Sequence, residues 1–274
     1  MVLNYFGLFW RAGWRSPSRS IVLASSLQRV IARMRHVKYR IYQATHRIAS
    51  TVAAALLSVC ALLSAPALPA SAQPCSDVEV VFARGTGEPP GAGGIGQAFV
   101  DALRAKAVGK SVNVYPANYV ASGDFTDGIL FALTVIDGIK DASNRIESTA
   151  AVCPNTRIVL GGFSQGAALA GFVTSAEVPP QVPSFVAPTP MPPEIAEHVA
   201  AVALFGKPSN QFLADAGAPT ITIGPLYVPK TIDLCAPGDT ICNGAPPGPP
   251  PAAHGSYVTD GMVNQAATFT VGRL

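Results

Sequence analysis

Residues 157–172 combine three features that few folds can accommodate. The apolar run 157–161 predicts a buried strand, and the small-residue run 167–172 predicts a helix. Between them stands Gly162-Phe163-Ser164-Gln165-Gly166, a G-x-S-x-G sequence. In this context the motif is typical of a nucleophile elbow, a sharp strand-to-helix turn that exposes a strained serine. Ser164 is therefore the candidate nucleophile, and the alternative is an ordinary turn with a capping serine. Side chains at Gly162 or Gly166 are predicted to collide with the neighbouring strand and helix.

Strand and helix patterns alternate along the rest of the chain. The predicted strands are Val78–Ala83, 112–115, 158–161, Val199–Phe205 and Thr231–Leu234, and the predicted helices are 95–107, 137–151, 168–175 and one within 256–274. The central strands are apolar throughout, as expected where helices cover both faces of a sheet. We therefore expect an α/β fold with three α/β/α layers around a mainly parallel, five-stranded sheet. Ligands of such sheets bind at the carboxyl ends of the strands.

The first 72 residues differ in composition from the remainder. They contain nine Lys/Arg and no Asp or Glu, followed by an apolar stretch at 48–63 and the sequence Ala70-Ser71-Ala72. These are the parts of a secretory signal peptide, and Met34 is a candidate for the true start. The alternative is an uncleaved membrane anchor, although the apolar stretch is shorter than the ~20 residues of a spanning helix. We predict cleavage after residue 72, a single domain over 73–274, and an extracellular protein, free or associated with the cell wall.

Cleavage would reverse the sign of the net charge. The whole chain carries +3, but residues 73–274 have ten Lys/Arg against all 16 Asp/Glu, a net charge of −6. A basic patch that would indicate nucleic acid or an anionic membrane as a partner is not apparent. We expect a monomer without stable membrane insertion after cleavage.

Four cysteines follow the leader, namely Cys75, Cys153, Cys235 and Cys242. Four cysteines in a secreted domain indicate two disulfides, with three pairings to choose from. The turn-like sequence between Cys235 and Cys242 favours a local bridge, which leaves Cys75 to pair with Cys153. We expect no metal site, because there is no C-x-x-C sequence and only two histidines follow the leader.

A nucleophilic serine needs a histidine base, and the histidine needs a carboxylate. His254 lies in a Gly/Pro-rich loop, whereas His198 directly precedes the fourth strand and so belongs to the opposite end of the sheet. The acid should fall between serine and histidine in the chain. Asp239 follows the fifth strand and lies between two cysteines, and Asp233, within the strand, is the alternative.

The negative oxygen that forms during acyl transfer needs two backbone N–H groups. One is expected from Gln165, the residue after the nucleophile. The other is expected from Thr86, in the glycine-rich loop that follows the first strand. This loop lacks the Lys-Ser/Thr of a phosphate-binding P-loop, and its spacing is not that of a dinucleotide site.

Several separated motifs make residues 75–274 resemble the cutinase family, specifically its bacterial cutinase-like secreted esterases. They are Cys75 with Phe82-Ala-Arg-Gly-Thr86, Cys153-Pro-Asn-Thr156 with Gly161-Gly-Phe-Ser-Gln-Gly166, Leu234-Cys-Ala-Pro-Gly-Asp-Thr-Ile-Cys242, and His254 before Tyr257. The resemblance implies a small α/β-hydrolase without a lid domain and a triad of Ser164, Asp239 and His254. It further implies an oxyanion hole at Thr86 and Gln165 and disulfides Cys75–Cys153 and Cys235–Cys242.

The sequence therefore predicts a serine esterase that works through an acyl-enzyme and needs no cofactor. Its substrates are expected to be small-molecule or lipid esters. The alternatives on the same fold are a polysaccharide acetyl-esterase or a phospholipase, and the alternative from another class is a catalytically idle surface or binding protein. The apolar segment 129–136 is expected either to line the acyl pocket or to add to the core.

Overall fold

The computed structural model describes residues 75–246 and 248–274, together with Lys38 and Arg40. The predicted signal peptide and its cleavage site lie outside the described residues, so they stay predictions.

Five strands form one parallel sheet, as the sequence predicted. They are β1 (Val78–Ala83), β2 (Val112–Pro116), β3 (Arg157–Phe163), β4 (Val199–Phe205) and β5 (Thr231–Leu234). Their order across the sheet is β2-β1-β3-β4-β5, with every neighbouring pair parallel. From β1 the chain goes outward to β2 on one side, then crosses back to β3 on the other side and continues to β4 and β5. The order of strand addition therefore reverses between β1 and β3. The crevice at the carboxyl ends of these two strands is therefore the expected ligand site.

The helices connect the strands on both faces. They are α1 (Gly93–Lys106), α2 (Gly128–Val152), α3 (Gln165–Val173), α4 (Asn210–Asp215) and α5 (Met262–Val271), with short 3₁₀ helices at Pro193–Glu197, Val228–Lys230 and Ala252–Gly255. The helix α4 was not predicted, because six residues are too few to show a periodic pattern. In the described part of the chain, no helix has both the length and the apolarity to cross a membrane.

The core consists of two apolar layers separated by the sheet. Along β1, Val80 and Phe82 face α1 and α5, whereas Val81 faces α2 and α3. This alternation follows from the two-residue period of a strand. On the first face, the rings of Phe82, Phe99 and Phe205 pack together with centroids 5.7–6.3 Å apart. The three-layer α/β/α prediction is therefore confirmed.

The helix α2 begins nine residues earlier than predicted. The carboxylate of Asp127 caps it by accepting hydrogen bonds from the backbone N–H groups of Ile129 and Leu130 at 3.1 and 3.0 Å. Ile129 and Leu130 are 76% and 61% exposed, whereas Ile136 is buried. The start of segment 129–136 therefore does not add to the core, and only its end does.

Both expected disulfides are present. Cys75 and Cys153, 78 residues apart, bridge the segment before β1 to the residue after α2. Cys235 and Cys242 close a loop directly after β5. On the chain-entropy model the long bridge stabilises the fold by roughly 4–5 kcal/mol and the short bridge by roughly 2–3 kcal/mol.

Candidate active site

The parallel sheet brings the predicted site residues to one edge. Ser164 directly follows β3, Thr86 lies three residues after β1, and Asp239 lies five residues after β5. Strands β1 and β3 pair up to their ends, where Ala83 lies opposite Gly162. Because the carboxyl ends of parallel strands share an edge, the loops after them are neighbours.

The turn at Ser164 has the strained geometry of a nucleophile elbow. Ser164 has φ 54° and ψ −118°. Residues other than glycine rarely adopt this backbone conformation, which costs about 1–3 kcal/mol. The backbone of the turn is held from two directions. The N–H of Ser164 donates to the carbonyl of Phe205 on β4 at 2.9 Å, and the carbonyl of Ser164 accepts from the N–H of Ala168 at 3.0 Å.

The two glycines of the motif are required by close backbone contacts. A Cβ atom on Gly162 would lie 2.1 Å from the carbonyl oxygen of Gly166. A Cβ atom on Gly166 would lie 2.0 Å from the carbonyl oxygen of Ala83 at the end of β1. Both distances are far below van der Waals contact. Glycine at 162 therefore lets the turn close onto α3, and glycine at 166 lets the elbow pack against the end of β1.

The side chains of Ser164, His254 and Asp239 form a continuous hydrogen-bonded chain. Nε2 of His254 lies 2.8 Å from Oγ of Ser164, and Nδ1 of His254 lies 2.8 Å from Oδ2 of Asp239. Asp239 is fully buried and His254 nearly so, whereas Ser164 is partly exposed. A serine hydroxyl beside a histidine that a buried carboxylate orients is the arrangement that nucleophilic catalysis requires.

The two alternative residues lie elsewhere. The carboxylate of Asp233 pairs with Nζ of Lys207 at 3.3 Å, and its side chain is 45% exposed. His198 immediately precedes β4 and so lies at the amino end of the sheet. Neither residue enters the hydrogen-bonded chain at Ser164.

The loop between the two cysteines holds Asp239 in place. Its Oδ1 accepts a hydrogen bond from the N–H of Ile241 at 3.0 Å, and its own N–H donates to the carbonyl of Ala236 at 3.0 Å. Gly238 turns the chain with φ 84°, a conformation that favours glycine. The Cys235–Cys242 bridge closes this turn around the carboxylate.

Three further residues shape the site, and the motifs alone did not reveal their part in it. The hydroxyl of Tyr257 donates to Oδ2 of Asp239 at 2.5 Å. The ring of Phe163 lies against the imidazole of His254, with centroids 5.0 Å apart. Gly206 leaves room for the triad, because a Cβ there would lie 2.8 Å from the Tyr257 hydroxyl and 3.0 Å from Cε1 of His254. Each is close in sequence to a recognised element: Phe163 lies inside the motif, Tyr257 three residues after His254, and Gly206 directly after β4.

The loop that carries Thr86 is fixed by hydrogen bonds of two charged side chains, the buried Arg84 and the partly exposed Glu88. Nε of the buried Arg84 donates to the carbonyl of Glu88 at 2.9 Å. The carboxylate of Glu88 accepts from the backbone N–H groups of Gly85 and Gly94 at 2.6 and 2.7 Å. Thr86 itself is exposed. A fixed loop can present a backbone N–H without reorganisation.

Gln165 is the first residue of α3, where backbone N–H groups have no partner within the helix. Its side chain is buried and donates from Nε2 to the carbonyl of Ser122 at 3.0 Å. The first turn of a helix also attracts negative charge. Among the described residues, no group of three or more His, Cys, Asp or Glu side chains is arranged to hold a metal ion.

Replacement of both Cys235 and Cys242 with serine is expected to impair catalysis more than stability. The bridge spans only seven positions, so its loss should cost roughly 2–3 kcal/mol of unfolding free energy. The loop around Asp239 would lose its fixed geometry. A misplacement of about 1 Å in a catalytic site can lower the rate about 10²-fold. Thermal melts and ester hydrolysis on the double variant test this. Near-wild-type kcat together with a large drop in Tm would show that the bridge stabilises the fold but does not position Asp239.

Comparisons with known proteins identify the family of this chain. Residues 74–274 match the family model described as Cutinase. Carboxylesterase Culp1 of Mycobacterium tuberculosis is 49% identical over 232 residues, covering 83% of this chain and 95% of the relative. Phospholipase Culp4 of the same organism is 45% identical over 231 residues, covering 84% and 93% of the two chains. Among solved structures, a cutinase of Trichoderma reesei, in complex with a phosphonate inhibitor, is 30% identical with a TM-score of 0.54, covering 73% of this chain and 77% of that one.

The family model covers residues 74–274, and the Culp relatives are similar over most of their own lengths. The sequence resemblance is therefore confirmed. The chain belongs to the cutinase family and is a carboxylic ester hydrolase.

Proposed function

We propose that this protein is a secreted serine esterase that works through a Ser-His-Asp acyl-enzyme mechanism. The observation that carries the proposal is the continuous chain from Ser164 Oγ through His254 to Asp239, with both hydrogen bonds at 2.8 Å. The strained conformation of Ser164 supports it, because such strain is concentrated at functional sites.

In the first half of the reaction, Oγ of Ser164 attacks the ester carbonyl carbon while Nε2 of His254 takes the hydroxyl proton. The tetrahedral intermediate collapses as His254 gives that proton to the leaving alcohol. The acyl group stays on Ser164. In the second half, water attacks the acyl-enzyme with His254 again as base, which releases the carboxylic acid and restores Ser164. Asp239 holds the imidazole in the tautomer that leaves Nε2 free to accept a proton.

The oxyanion is stabilised by the backbone N–H groups of Thr86 and Gln165. The contact of Gly166 with the end of β1 brings the elbow against the loop of Thr86. The hydrogen bonds of Arg84 and Glu88 fix that loop, and the helix α3 fixes Gln165. Donors that need no reorganisation stabilise developing charge most effectively.

Apolar side chains beside the site support esters with an apolar acyl chain as substrates. The segment 120–130 contacts the site through the bond between Ser122 and Gln165 and through Gly87, whose N–H donates to the carbonyl of Ala121 at 2.8 Å. It exposes four large side chains: Val120, Phe125, Ile129 and Leu130. Exposed apolar side chains on one short segment beside the site support a surface that binds an apolar acyl chain.

A series of p-nitrophenyl esters is expected to show kcat/KM rising with acyl length from acetate to butyrate. Each buried methylene contributes about 0.8 kcal/mol, so two should raise kcat/KM by about tenfold. Serine at both Phe125 and Ile129 should flatten this dependence. Val108 is also exposed but precedes β2, at the amino end of the sheet, so Val108→Ser should leave the dependence unchanged. Fastest hydrolysis of the acetate would instead favour the polysaccharide acetyl-esterase.

Phospholipase activity is the second candidate, favoured by the relative named phospholipase Culp4. Release of fatty acid from phosphatidylcholine vesicles tests it directly. Secretion is supported by the predicted leader and by two disulfides, which persist in oxidising compartments. Sequencing of the mature amino terminus should begin at Gln73, and an uncleaved chain would favour a membrane anchor.

A further inference from the structure

The mechanism above leaves one buried polar contact at the triad unused. Tyr257 is fully buried, and its hydroxyl donates to Oδ2 of Asp239 at 2.5 Å. That oxygen is also the partner of His254 Nδ1. The same hydroxyl accepts a longer bond from the N–H of Ala236 at 3.3 Å. The phenol therefore joins the end of β5 to the carboxylate.

We propose that Tyr257 is a positioning residue that holds the Asp239 carboxylate in the orientation His254 needs. The inference rests on the proposed Ser-His-Asp mechanism and adds Tyr257 as a fourth residue to the three that carry it. Ile241 fixes Oδ1 of the carboxylate, whereas Tyr257 fixes Oδ2, the oxygen that His254 also contacts. With both oxygens held by groups other than the histidine, the carboxylate keeps its orientation when the imidazole changes its protonation state.

The local electrostatics make the phenol a permanent donor. Burial, and next its hydrogen bond to Asp239, raise the pKa of Tyr257 far above its ordinary value. The hydroxyl is therefore protonated at neutral pH and adds no second negative charge beside Asp239. The other charged group that acts on it is Asp233 on β5, which itself pairs with Lys207.

Core packing alone explains the ring but not the hydroxyl. The ring of Tyr257 packs edge-on against Phe205 at 6.0 Å and Phe163 at 5.9 Å, contacts that a phenylalanine would make equally well. A buried hydroxyl is costly unless it is hydrogen-bonded, so its strongest partner indicates its purpose. That partner is Asp239.

Tyr257→Phe tests the inference, because it removes the hydroxyl and keeps the ring. We expect kcat for p-nitrophenyl butyrate to fall about 10- to 100-fold, the effect of losing one hydrogen bond to a charged group. KM should be unchanged, since the phenol does not touch substrate. The matched control is Tyr227→Phe, because Tyr227 is also buried, lies outside the site, and its hydroxyl has no hydrogen-bond partner in the described part of the chain. Its kcat should equal that of the wild type.

A double-mutant cycle separates positioning from a general structural role. In an Asp239→Ala background, Tyr257→Phe should have no further effect on kcat, because the residue through which it acts is gone. A fluorotyrosine at position 257 keeps the hydroxyl and should restore kcat even if the phenylalanine variant folds poorly. Circular dichroism and melting curves report folding for every variant.

The outcomes distinguish the inference from the mechanism beneath it. If Asp239→Ala abolishes turnover but Tyr257→Phe retains wild-type kcat, the positioning inference alone is wrong. An equal fall in kcat on adding Tyr257→Phe to both backgrounds would likewise overturn it. If Asp239→Ala itself leaves kcat intact, the Ser-His-Asp mechanism fails and the inference fails with it.

Discussion

Ser164→Ala is expected to lower kcat by roughly 10⁴–10⁶ while the protein stays folded. The substitution removes only the Oγ atom that His254 contacts at 2.8 Å. It leaves intact the backbone bonds that hold the turn to Phe205 and Ala168. Hydrolysis of p-nitrophenyl butyrate measures the loss, and circular dichroism with a melting curve measures folding.

An organophosphonate ester probe supplies the control for this variant. The probe should label the wild type and Ser184→Ala, which alters an exposed serine in the loop before β4, but not Ser164→Ala. Labelling of Ser164→Ala would place the nucleophile elsewhere. A wild type that neither reacts with the probe nor hydrolyses esters would favour the idle binding protein.

Asp239→Asn is expected to reduce kcat on the order of 10⁴-fold without unfolding the chain. The amide has the shape of the carboxylate and can keep the bond from Ile241. When its NH₂ group faces Nδ1 of His254, the imidazole must accept there and carry its proton on Nε2. That tautomer cannot take the proton of Ser164. Steady-state kinetics on the purified variant measure the effect.

Asp233→Asn is the matched control for the acid. It makes the same chemical change six residues earlier, at a side chain that pairs with Lys207 and is partly exposed. Asp233 takes no part in the hydrogen-bonded chain at Ser164, so kcat should stay close to wild type. Tm can fall, because the largely buried Lys207 loses its charged partner. If Asp233→Asn lost most of its kcat while Asp239→Asn kept most of its own, the assignment of Asp239 as the acid would be wrong.

The strands were predictable because each is a short run rich in apolar or β-branched residues and is followed by turn residues. Strands β1, β4 and β5 have the predicted bounds, and β3 differs only at its ends. The hydrogen-bonded chain at Ser164 was also predictable, because a parallel sheet places the loops after its strands at one edge. Chain order and the position of Asp239 after β5 were then enough to choose it over Asp233.

Features that depend on packing in space were not predictable. The first turns of α2 expose Ile129 and Leu130, so no amphipathic pattern marks the start of that helix. The contact of Tyr257 with Asp239 depends on how the 3₁₀ helix Ala252–Gly255 returns towards β5. The requirement for glycine at 206 appears only when three side chains are placed around it.

The conformation of Ser164 has a consequence for engineering this enzyme. Its φ of 54° and ψ of −118° suit glycine far better than any residue with a side chain. A search for thermostable variants that scored melting temperature alone would therefore favour glycine at position 164 and select an inactive protein. Stability and turnover have opposite optima at this residue, so a library built on this scaffold must be screened for both.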